Sequence, residues 1–277
     1  MRAGFIGLGD IGLPMAKNLV TKGFDTTVCG HVRRQPIEEM VALGAREAPN
    51  PKGVAENSDA VIIMVQNDKQ AEEVIFGADG LMEGLKDGSC VLLMGTFAPA
   101  FCRRVAEAGA PKNIDVFDAP VVGARMGAEK GTLGISVGGD KEKLEKYRHL
   151  IETMGKITYC GELGMGQIVK LANNMCAIGN SLLLAEAVNW GIANGADEDM
   201  LIEHIKIGSG NSFSAQNWPW LKAMWTDPPP PTYYVGAKDL SHSLNIGLEL
   251  RQPCPINALL CELQKGPPPR IGEKRPE

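Results

Sequence analysis

A strand-like apolar run, a glycine-rich turn and a helical pattern follow one another at the start of the chain. Residues 3–8 predict a buried strand, which leads into Gly7-x-Gly9-x-x-Gly12, and residues 13–20 predict a helix. Strand, glycine turn and helix in this order are the context that a dinucleotide-binding turn requires. The first glycine permits the tight turn, the second lets a pyrophosphate approach the backbone, and the third lets the helix pack on the strand. The phosphates then face the free N–H groups of the helix start. The predicted cofactor-binding residues of this turn are Gly7, Leu8, Gly9, Asp10, Ile11 and Gly12. The alternative is a purely structural turn.

The end of the second predicted strand, residues 25–29, bears on the type of dinucleotide. NAD-selective sites usually end this strand with an acidic residue that binds the ribose 2′-hydroxyl. Here Gly30 and His31 take that place, and Arg33 and Arg34 follow. Without a carboxylate there is no repulsion of a 2′-phosphate, and two arginines can hold one. The sequence therefore favours NADP over NAD, with His31, Arg33 and Arg34 as cofactor contacts. The alternative is that both arginines are solvated residues at a helix start.

Further apolar runs predict the rest of the first domain. Residues 58–65, 89–94 and 114–117 are continuous apolar segments, with helical patterns between them. This alternation is typical of an α/β fold, a Rossmann-type doubly wound parallel sheet. In such sheets ligands bind beyond the carboxyl ends of the strands. That position singles out Met64, Val65 and Thr96. The alternative for Met64 and Val65 is a place in the core.

A glycine-rich loop follows Asp118. It begins Ala-Pro-Val-Val-Gly-Ala-Arg and has glycines at 123, 127, 131 and 134. Backbone N–H groups near these glycines can face a small anionic substrate, as in a nest. We therefore predict substrate binding by Val122, Gly123 and Ala124.

The stretch from Gly164 to Asn174 opens on two glycines and continues as an apolar helix. Gln167, Lys170 and Asn174 share one face of that helix. Apolar neighbours partly desolvate a lysine, which lowers its pKa toward a range useful for proton transfer. Lys170 is therefore a candidate acid or base. The alternative is a surface lysine on an amphipathic helix.

The second half of the chain shows no convincing strand pattern. A helix over residues 164–194 links the halves, further helices are expected at 199–207, 212–224 and 237–250, and a proline-rich break falls at 227–232. We predict a Rossmann domain over 1–162, an all-α substrate and dimerisation domain over 163–265, and a disordered tail over 266–277, because that tail is polar and proline-rich.

Composition limits the class of protein. A formal net charge of −5 over 277 residues argues against nucleic acid as a partner. The seven cysteines form no Cys-x-x-Cys pair, and the four histidines form no ligand-spaced cluster, so neither a disulfide frame nor a metal site is expected. A strand at the very start leaves no room for a signal peptide, and no apolar run reaches the ~18 residues of a membrane span. These observations favour a cytoplasmic protein with no membrane partner.

Four motifs in order resemble the β-hydroxyacid dehydrogenase family, which includes 3-hydroxyisobutyrate dehydrogenase and the tartronate, glyoxylate and succinic semialdehyde reductases. They are the glycine turn, Asp118-Ala-Pro-Val-Val-Gly123, the helix from Gly164 to Asn174, and Lys238-Asp239-Leu240. The resemblance covers roughly residues 4–260. It implies that Lys170 transfers the proton, that Asn174 binds substrate, and that Thr96 and Lys238 contact the cofactor. It also implies that the long helix forms a subunit interface, in a homodimer or homotetramer.

Two departures from the family pattern concern the substrate. The substrate loop usually contains Ser-Gly-Gly, and here the run is Val122-Gly123-Ala124. A lost hydroxyl removes a hydrogen bond worth about 1–3 kcal/mol if its partner is left unpaired. The chain also turns into a proline-rich tail after Gln264, where the family has a further glycine-rich segment.

The predicted function is NAD(P)-dependent hydride transfer on a small 3-hydroxyacid, or reduction of the matching semialdehyde or 2-oxo acid, with a small carboxylate as substrate. One alternative is an imine reductase of the same architecture, although such enzymes generally carry another residue in place of Lys170. The other is a non-catalytic, cofactor-binding oligomerisation module, a branch in which that lysine is lost.

Overall fold

The computed structural model describes residues 1–30, 33–225 and 235–272. Within it the chain divides into two compact units, Met1–Lys170 and Leu171–Glu277. Each unit has its own apolar core, and each is described by itself below.

The first unit is built on one mixed sheet. Its strands in the described residues are β1 (Ala3–Ile6), β2 (Thr26–Cys29), β3 (Arg46–Ala48), β4 (Ala60–Ile63), β5 (Cys90–Leu93), β6 (Asp115–Asp118), β7 (Val121–Val122), β8 (Leu133–Gly138) and β9 (Gly155–Gly161). The order is β3-β2-β1-β4-β5-β6-β8-β7, with β9 also paired to β8. The first six strands, β1 to β6, are parallel. Strand β8 runs antiparallel to both β6 and β7, and β9 is parallel to β8.

Helices cover both faces of this sheet. They are α1 (Gly12–Thr21), α2 (Gln35–Ala42), α3 (Pro51–Glu56), α4 (Asp68–Phe76), α5 (Leu81–Gly84), α6 (Pro99–Gly109), α7 (Ala124–Lys130) and α8 (Lys141–Glu152). Alternate residues of β4 enter opposite cores: Ala60 and Ile62 pack with α1 and α8, whereas Val61 and Ile63 pack with α3, α4 and α6. Two buried faces explain why the central strands are continuous apolar runs. The predicted doubly wound fold is confirmed.

The second unit is helical throughout its described residues. The long helix α9 (Met165–Ala193) enters it from the first unit. The helices that follow are α10 (Glu198–Ile207), α11 (Phe213–Gln216), α12 (Trp218–Ala223), α13 (Val235–Glu249) and α14 (Pro255–Leu263). One core packs Leu184 and Val188 of α9 against Ile202 and Trp218, and a second surrounds Leu240 and Leu260.

Helix α9 is unusual in its length and apolar character. By length and composition alone it could cross a membrane, with a mean hydropathy of 1.3 over its best window, and 17% of that window is buried. The prediction that no apolar run reaches the length of a membrane span is therefore wrong for this helix. One such helix is weak evidence of a membrane span, because the core helix of a soluble protein passes the same test.

Three local features differ from the expectations. Residues 124–130 form a helix inside the predicted glycine loop, and residues 212–224 form two short helices that meet at Asn217. In contrast to the expected disorder, the described part of the tail packs on α9: Asn189 donates to the carbonyl of Arg270 and accepts from the N–H of Gly272. The proline-rich break at 227–232 and residues 273–277 lie outside the described residues.

Candidate active site

The glycine turn that joins β1 to α1 has no room for a side chain at Gly7 or at Gly12. Gly7 has φ of 107°, and a Cβ there would lie 2.2 Å from the carbonyl oxygen of Met64. A Cβ on Gly12 would lie 1.9 Å from the carbonyl oxygen of Gly7, whereas one on Gly9 would meet no atom within 4 Å in the described residues. The turn is thus tight at its two ends and open at its centre, as a phosphate-binding backbone requires.

The first turn of α1 is not capped by any side chain in the described part of the chain, and it contains no acidic residue. Other helices here are capped in that way, for example α4 by Asn67 and α8 by Asp140. The first N–H groups of a helix have no acceptor within the helix, and they attract anions. The turn therefore fits the pyrophosphate of a dinucleotide. Leu8 and Ile11 of the turn pack against the core, and Asp10 is exposed.

The predicted strand-end residues lie at the same edge of the sheet. Met64 and Val65 follow β4, which pairs with β1, and Thr96 follows β5, which pairs with β4. All three are half-buried. Because the carboxyl ends of parallel strands meet at one edge, the structure brings these residues together with the glycine turn.

The residues predicted to select NADP follow β2 at the same edge. Arg33 is exposed. Arg34 is already engaged, since its guanidinium donates to both carboxylate oxygens of Glu47 and lies 3.7 Å from Glu38. This pair lowers the pKa of Glu47 below its usual range. His31 lies outside the described residues. Of the two arginines, Arg33 is therefore the one better placed to take up a phosphate.

The predicted substrate residues lie on β7 and at the start of α7. Val122 pairs with Gly134 of β8, Gly123 has φ of 122°, and Ala124 has φ of 52°. Helix α7 packs on α1, where Asn18 donates to the carbonyl of Ala128 at 2.7 Å. The substrate loop and the helix that follows the glycine turn are thus in direct contact.

Lys170 lies in the second turn of α9 and is half-buried, next to fully covered Leu171 and partly exposed Val169. The beginning of this helix is docked on the sheet: the carboxylate of Asp118 accepts from the N–H groups of Gly164 and Gln167. The candidate acid or base therefore stands one turn beyond a fixed helix start.

In the second unit, Asp239 connects two predicted site residues. Its Oδ2 accepts from Nδ2 of Asn174 at 2.6 Å, and its Oδ1 lies 2.7 Å from Nζ of Lys238. Asp239 is almost fully buried. The amide predicted to bind substrate and the ammonium predicted to bind cofactor thus share one carboxylate.

Sequence reasoning named Asp118, Gln167 and Asp239 only as parts of motifs and gave them no role. A signal was present for two of them, because a polar residue inside an otherwise apolar run is buried only when it is hydrogen-bonded. Asp118 ends an apolar strand, and Gln167 lies in the apolar start of α9. Their partners are distant in sequence and could not be identified from it.

Two family models together match nearly the whole chain. The model described as the NAD-binding domain of 6-phosphogluconate dehydrogenase matches residues 2–164. The model described as NAD-binding of NADP-dependent 3-hydroxyisobutyrate dehydrogenase matches residues 164–266.

Curated relatives match over most of their length. The NAD-dependent L-serine dehydrogenase of Pseudomonas aeruginosa is 34% identical over 94% of this chain and 90% of its own. The mitochondrial 3-hydroxyisobutyrate dehydrogenase of Mus musculus is 31% identical over 95% of this chain and 80% of its own.

Solved structures share the fold. A Mycobacterium tuberculosis 3-hydroxyisobutyrate dehydrogenase with L-serine aligns with a TM-score of 0.83 at 23% identity, covering 96% of this chain and 93% of that one. An imine reductase from Myxococcus stipitatus aligns with a TM-score of 0.65 at 17% identity, covering 95% and 92%. The imine reductase is the more distant of the two in both measures.

Proposed function

The chain belongs to the β-hydroxyacid dehydrogenase family, and from this premise we propose that it is an NAD(P)-dependent oxidoreductase of small 3-hydroxyacids or their semialdehydes. One observation carries the proposal. Lys170 stands half-buried one turn beyond the docked start of α9, and that start is bound to the sheet edge from which the cofactor-binding residues project. A lysine so placed is suited to exchange a proton with a substrate at that edge.

Lys170 is assigned as the general acid and base. When bound, the nicotinamide supplies or accepts the hydride at the alcohol carbon. In reduction, the ammonium of Lys170 gives its proton to the oxygen that becomes the hydroxyl. In oxidation, the neutral amine takes the proton from that hydroxyl. Asn174, one turn further along α9, orients the substrate, and its amide is itself held by Asp239.

The substrate carboxylate is assigned to the backbone around Gly123 and Ala124. Backbone N–H groups near a glycine with positive φ, such as Gly123, can face a small anion, as in a nest. Val122 carries no hydroxyl at the position where the family usually has serine, so the carboxylate depends more on backbone donors here. L-Serine and 3-hydroxyisobutyrate, which name the two relatives, each carry a primary alcohol on the carbon next to the one that bears the carboxylate. We assign the same arrangement to the substrate of this chain.

NADP is the proposed preference of the cofactor site. Support comes from Gly30, which stands where an acidic residue would select NAD, and from exposed Arg33. Arg34 contributes less, because Glu47 already binds its guanidinium. Thr96 and Lys238 are assigned as further cofactor contacts.

The proposed site residues are distributed over both predicted domains. We assign the glycine turn, Thr96 and the substrate loop at Val122–Ala124 to residues 1–162, and Lys170, Asn174, Lys238 and the assembly surface to residues 163–265. The two family models meet at residue 164, which supports a domain boundary there. All seven cysteines are free thiols, as in proteins of a reducing compartment, and we place the protein in the cytoplasm.

A homodimer or homotetramer built on α9 completes the proposal. Exposed residues recur along this helix with alternating spacings of four and three, which is the pattern of a helix that packs on another helix. They are Val169, Asn173, Cys176, Asn180, Leu183, Ala187 and Trp190, and we refer to them as the α9 stripe. Leu183 and Trp190 are 66% and 71% exposed, which supports a partner at this surface.

The test is an initial-rate screen with NADH and NADPH against carboxylate semialdehydes, 2-oxo acids and cyclic imines. We expect NADPH to be consumed with a semialdehyde, and NADP to be reduced by the corresponding 3-hydroxyacid. Turnover of imines alone would make the protein an imine reductase. Cofactor binding without turnover of any of these compounds would make it a non-catalytic module.

A further inference from the structure

Asp118 is a buried carboxylate that holds the start of α9 from another element. It ends β6 and is 0% exposed. Its Oδ1 accepts from the N–H of Gly164 and its Oδ2 from the N–H of Gln167, both at 2.6 Å. Gly164 immediately precedes α9 and Gln167 lies in its first turn, where N–H groups have no partner within the helix. The cap therefore comes from the sheet and not from the residue that precedes the helix.

Gln167 makes a second connection to the sheet. It is also 0% exposed. Its Oε1 accepts from the N–H of Phe97 at 3.1 Å, and its Nε2 donates to the carbonyl of Gly95 at 2.9 Å. Thr96, the proposed cofactor contact, lies between these two residues. One side chain thus ties the backbone on both sides of Thr96 to the helix that carries Lys170.

The helix start is also packed too closely to slide. A Cβ on Gly166 would lie 2.3 Å from the carbonyl oxygen of Ser136 and 2.8 Å from Oδ2 of Asp118. A Cβ on Gly138 of β8 would lie 2.4 Å from Oδ1 of Asp118. Close contact of this kind explains the second glycine of Gly164-Met165-Gly166, and it fixes the register of α9 against β6 and β8.

A buried carboxylate is a costly way to cap a helix. Burial raises the pKa of Asp118, and the backbone N–H groups offset only part of that effect. By contrast, Asp140 caps α8 while exposed, with its Oδ1 accepting from Glu142 and Lys143. Capping alone does not require burial. The buried position of Asp118 is better explained by its contact with the start of α9, which it holds against the sheet.

We propose that Asp118 and Gln167 are positioning residues for the reaction, because together they hold the first turn of α9, and with it Lys170, in register with the Thr96 loop. The inference rests on the proposed function, since the roles of Lys170 and Thr96 come from there. Gln167 precedes Lys170 by three residues, so any tilt or slide of this turn moves the lysine with it.

The kinetic test compares Asp118→Asn and Gln167→Met with the wild type. Asparagine keeps the shape of Asp118 but places an amide donor against a backbone donor, and methionine keeps the volume of Gln167 without its hydrogen bonds. We expect kcat to fall at least tenfold in each variant. The Kd for NADPH should stay within twofold in Asp118→Asn, in which both hydrogen bonds of Gln167 to the Thr96 loop remain. The deuterium isotope effect measured with 4-deuterated NADPH should rise, because hydride transfer then limits the rate more fully.

The matched control is Asp140→Asn. It removes the same type of capping carboxylate from α8, which carries no proposed site residue, so it should leave kcat within twofold. All assays are run well below the thermal midpoint of each variant. If Asp118→Asn does not fold, Gln167→Met decides the matter. A kcat within twofold of wild type in the folded variants overturns the inference.

A second readout does not depend on turnover. Competitive acetylation followed by mass spectrometry measures the reactivity of Lys170 relative to exposed Lys69. The ratio should change at least threefold in Asp118→Asn and Gln167→Met, and it should not change in Asp140→Asn. A wild type without turnover would defeat the proposed function, whereas an unchanged labelling ratio would defeat the positioning role.

Discussion

Ala124 has a side chain, yet its backbone adopts a conformation that favours glycine. Its φ of 52° lies in the left-handed region, where a Cβ is crowded by the following carbonyl, and it opens α7 at the proposed carboxylate-binding backbone. The family usually has glycine at this place in the substrate loop. The chain thus holds a strained residue at its proposed substrate site, and strain at such sites commonly serves function.

Replacing Ala124 by glycine should stabilise the protein. Removing the left-handed strain outweighs the added freedom of the unfolded chain, and we expect a gain of about 0.5–1 kcal/mol. The same change at buried Ala128, four residues along α7, should destabilise by about 1 kcal/mol, because glycine there only adds flexibility and loses a packed methyl group. Midpoints of urea unfolding report both changes. If both variants were stabilised, or both destabilised, the left-handed strain at Ala124 would not be the cause.

Single residues also show where sequence reasoning stops. The roles of Gly7 and Gly12 were predicted, because the strand, turn and helix around them form a local pattern. Asp118 and Gln167 were not given roles, because the N–H of Gly164 lies 46 positions from Asp118 and the N–H of Phe97 lies 70 positions from Gln167. The sequence shows a polar residue in an apolar run, which indicates a buried hydrogen bond. The run does not identify a partner that is so distant along the chain.

At the scale of elements, the strands that are buried on both faces could be predicted from the sequence, and an exposed strand could not. Strands β4 and β5 were predicted because both of their faces are covered, which makes them continuous apolar runs. Strand β3 was missed, since two of its three residues are exposed. The antiparallel direction of β8 was missed as well, because the short β7 hairpin that reverses the chain lies among glycines. Helix α9 was predicted almost to its ends.

The junction of β1 and β4 gives a prediction about pH. Nη2 of Arg2 lies 2.7 Å from Oδ1 of Asp59, and the N–H of Arg2 donates to Oδ2. The hydrogen bond with Arg2 lowers the pKa of Asp59. A carboxyl with a lowered pKa stabilises the folded state above its usual range, and this stabilisation is lost as the pH falls through the lowered value. Both side chains are more than a third exposed, so solvent screening keeps the contribution below about 1 kcal/mol.

Asp59→Asn should therefore be slightly less stable than the wild type near pH 7. The difference should shrink toward zero as the pH falls below the usual range of an aspartate. Thermal midpoints measured from pH 7 down to pH 2 provide the comparison, and Arg2→Gln should show the same convergence. A difference that stays constant over this range would show that the ion pair does not stabilise the fold.

At the scale of the whole molecule, the α9 stripe predicts self-association. Each chain has a mass of 29.7 kDa, and we expect a dimer or tetramer by light scattering after size exclusion. Leu183→Glu should reduce the assembled fraction strongly, because an unpaired charge is costly to bury in a helix interface. Ala193→Glu, an exposed position of the same helix off the stripe, should leave the mass unchanged. A wild type that is monomeric at assay concentration would refute the assignment of this surface.

The proton-transfer role of Lys170 is the central claim, and Lys170→Met tests it most directly. Methionine keeps the length of the side chain but cannot exchange a proton. With the cofactor and substrate found in the initial-rate screen, kcat/KM should fall by about 10²–10⁴, the usual contribution of a general acid or base. The Kd for the cofactor should stay within twofold, and Lys69→Met should behave as the wild type. Turnover by Lys170→Met within tenfold of the wild type would contradict the account.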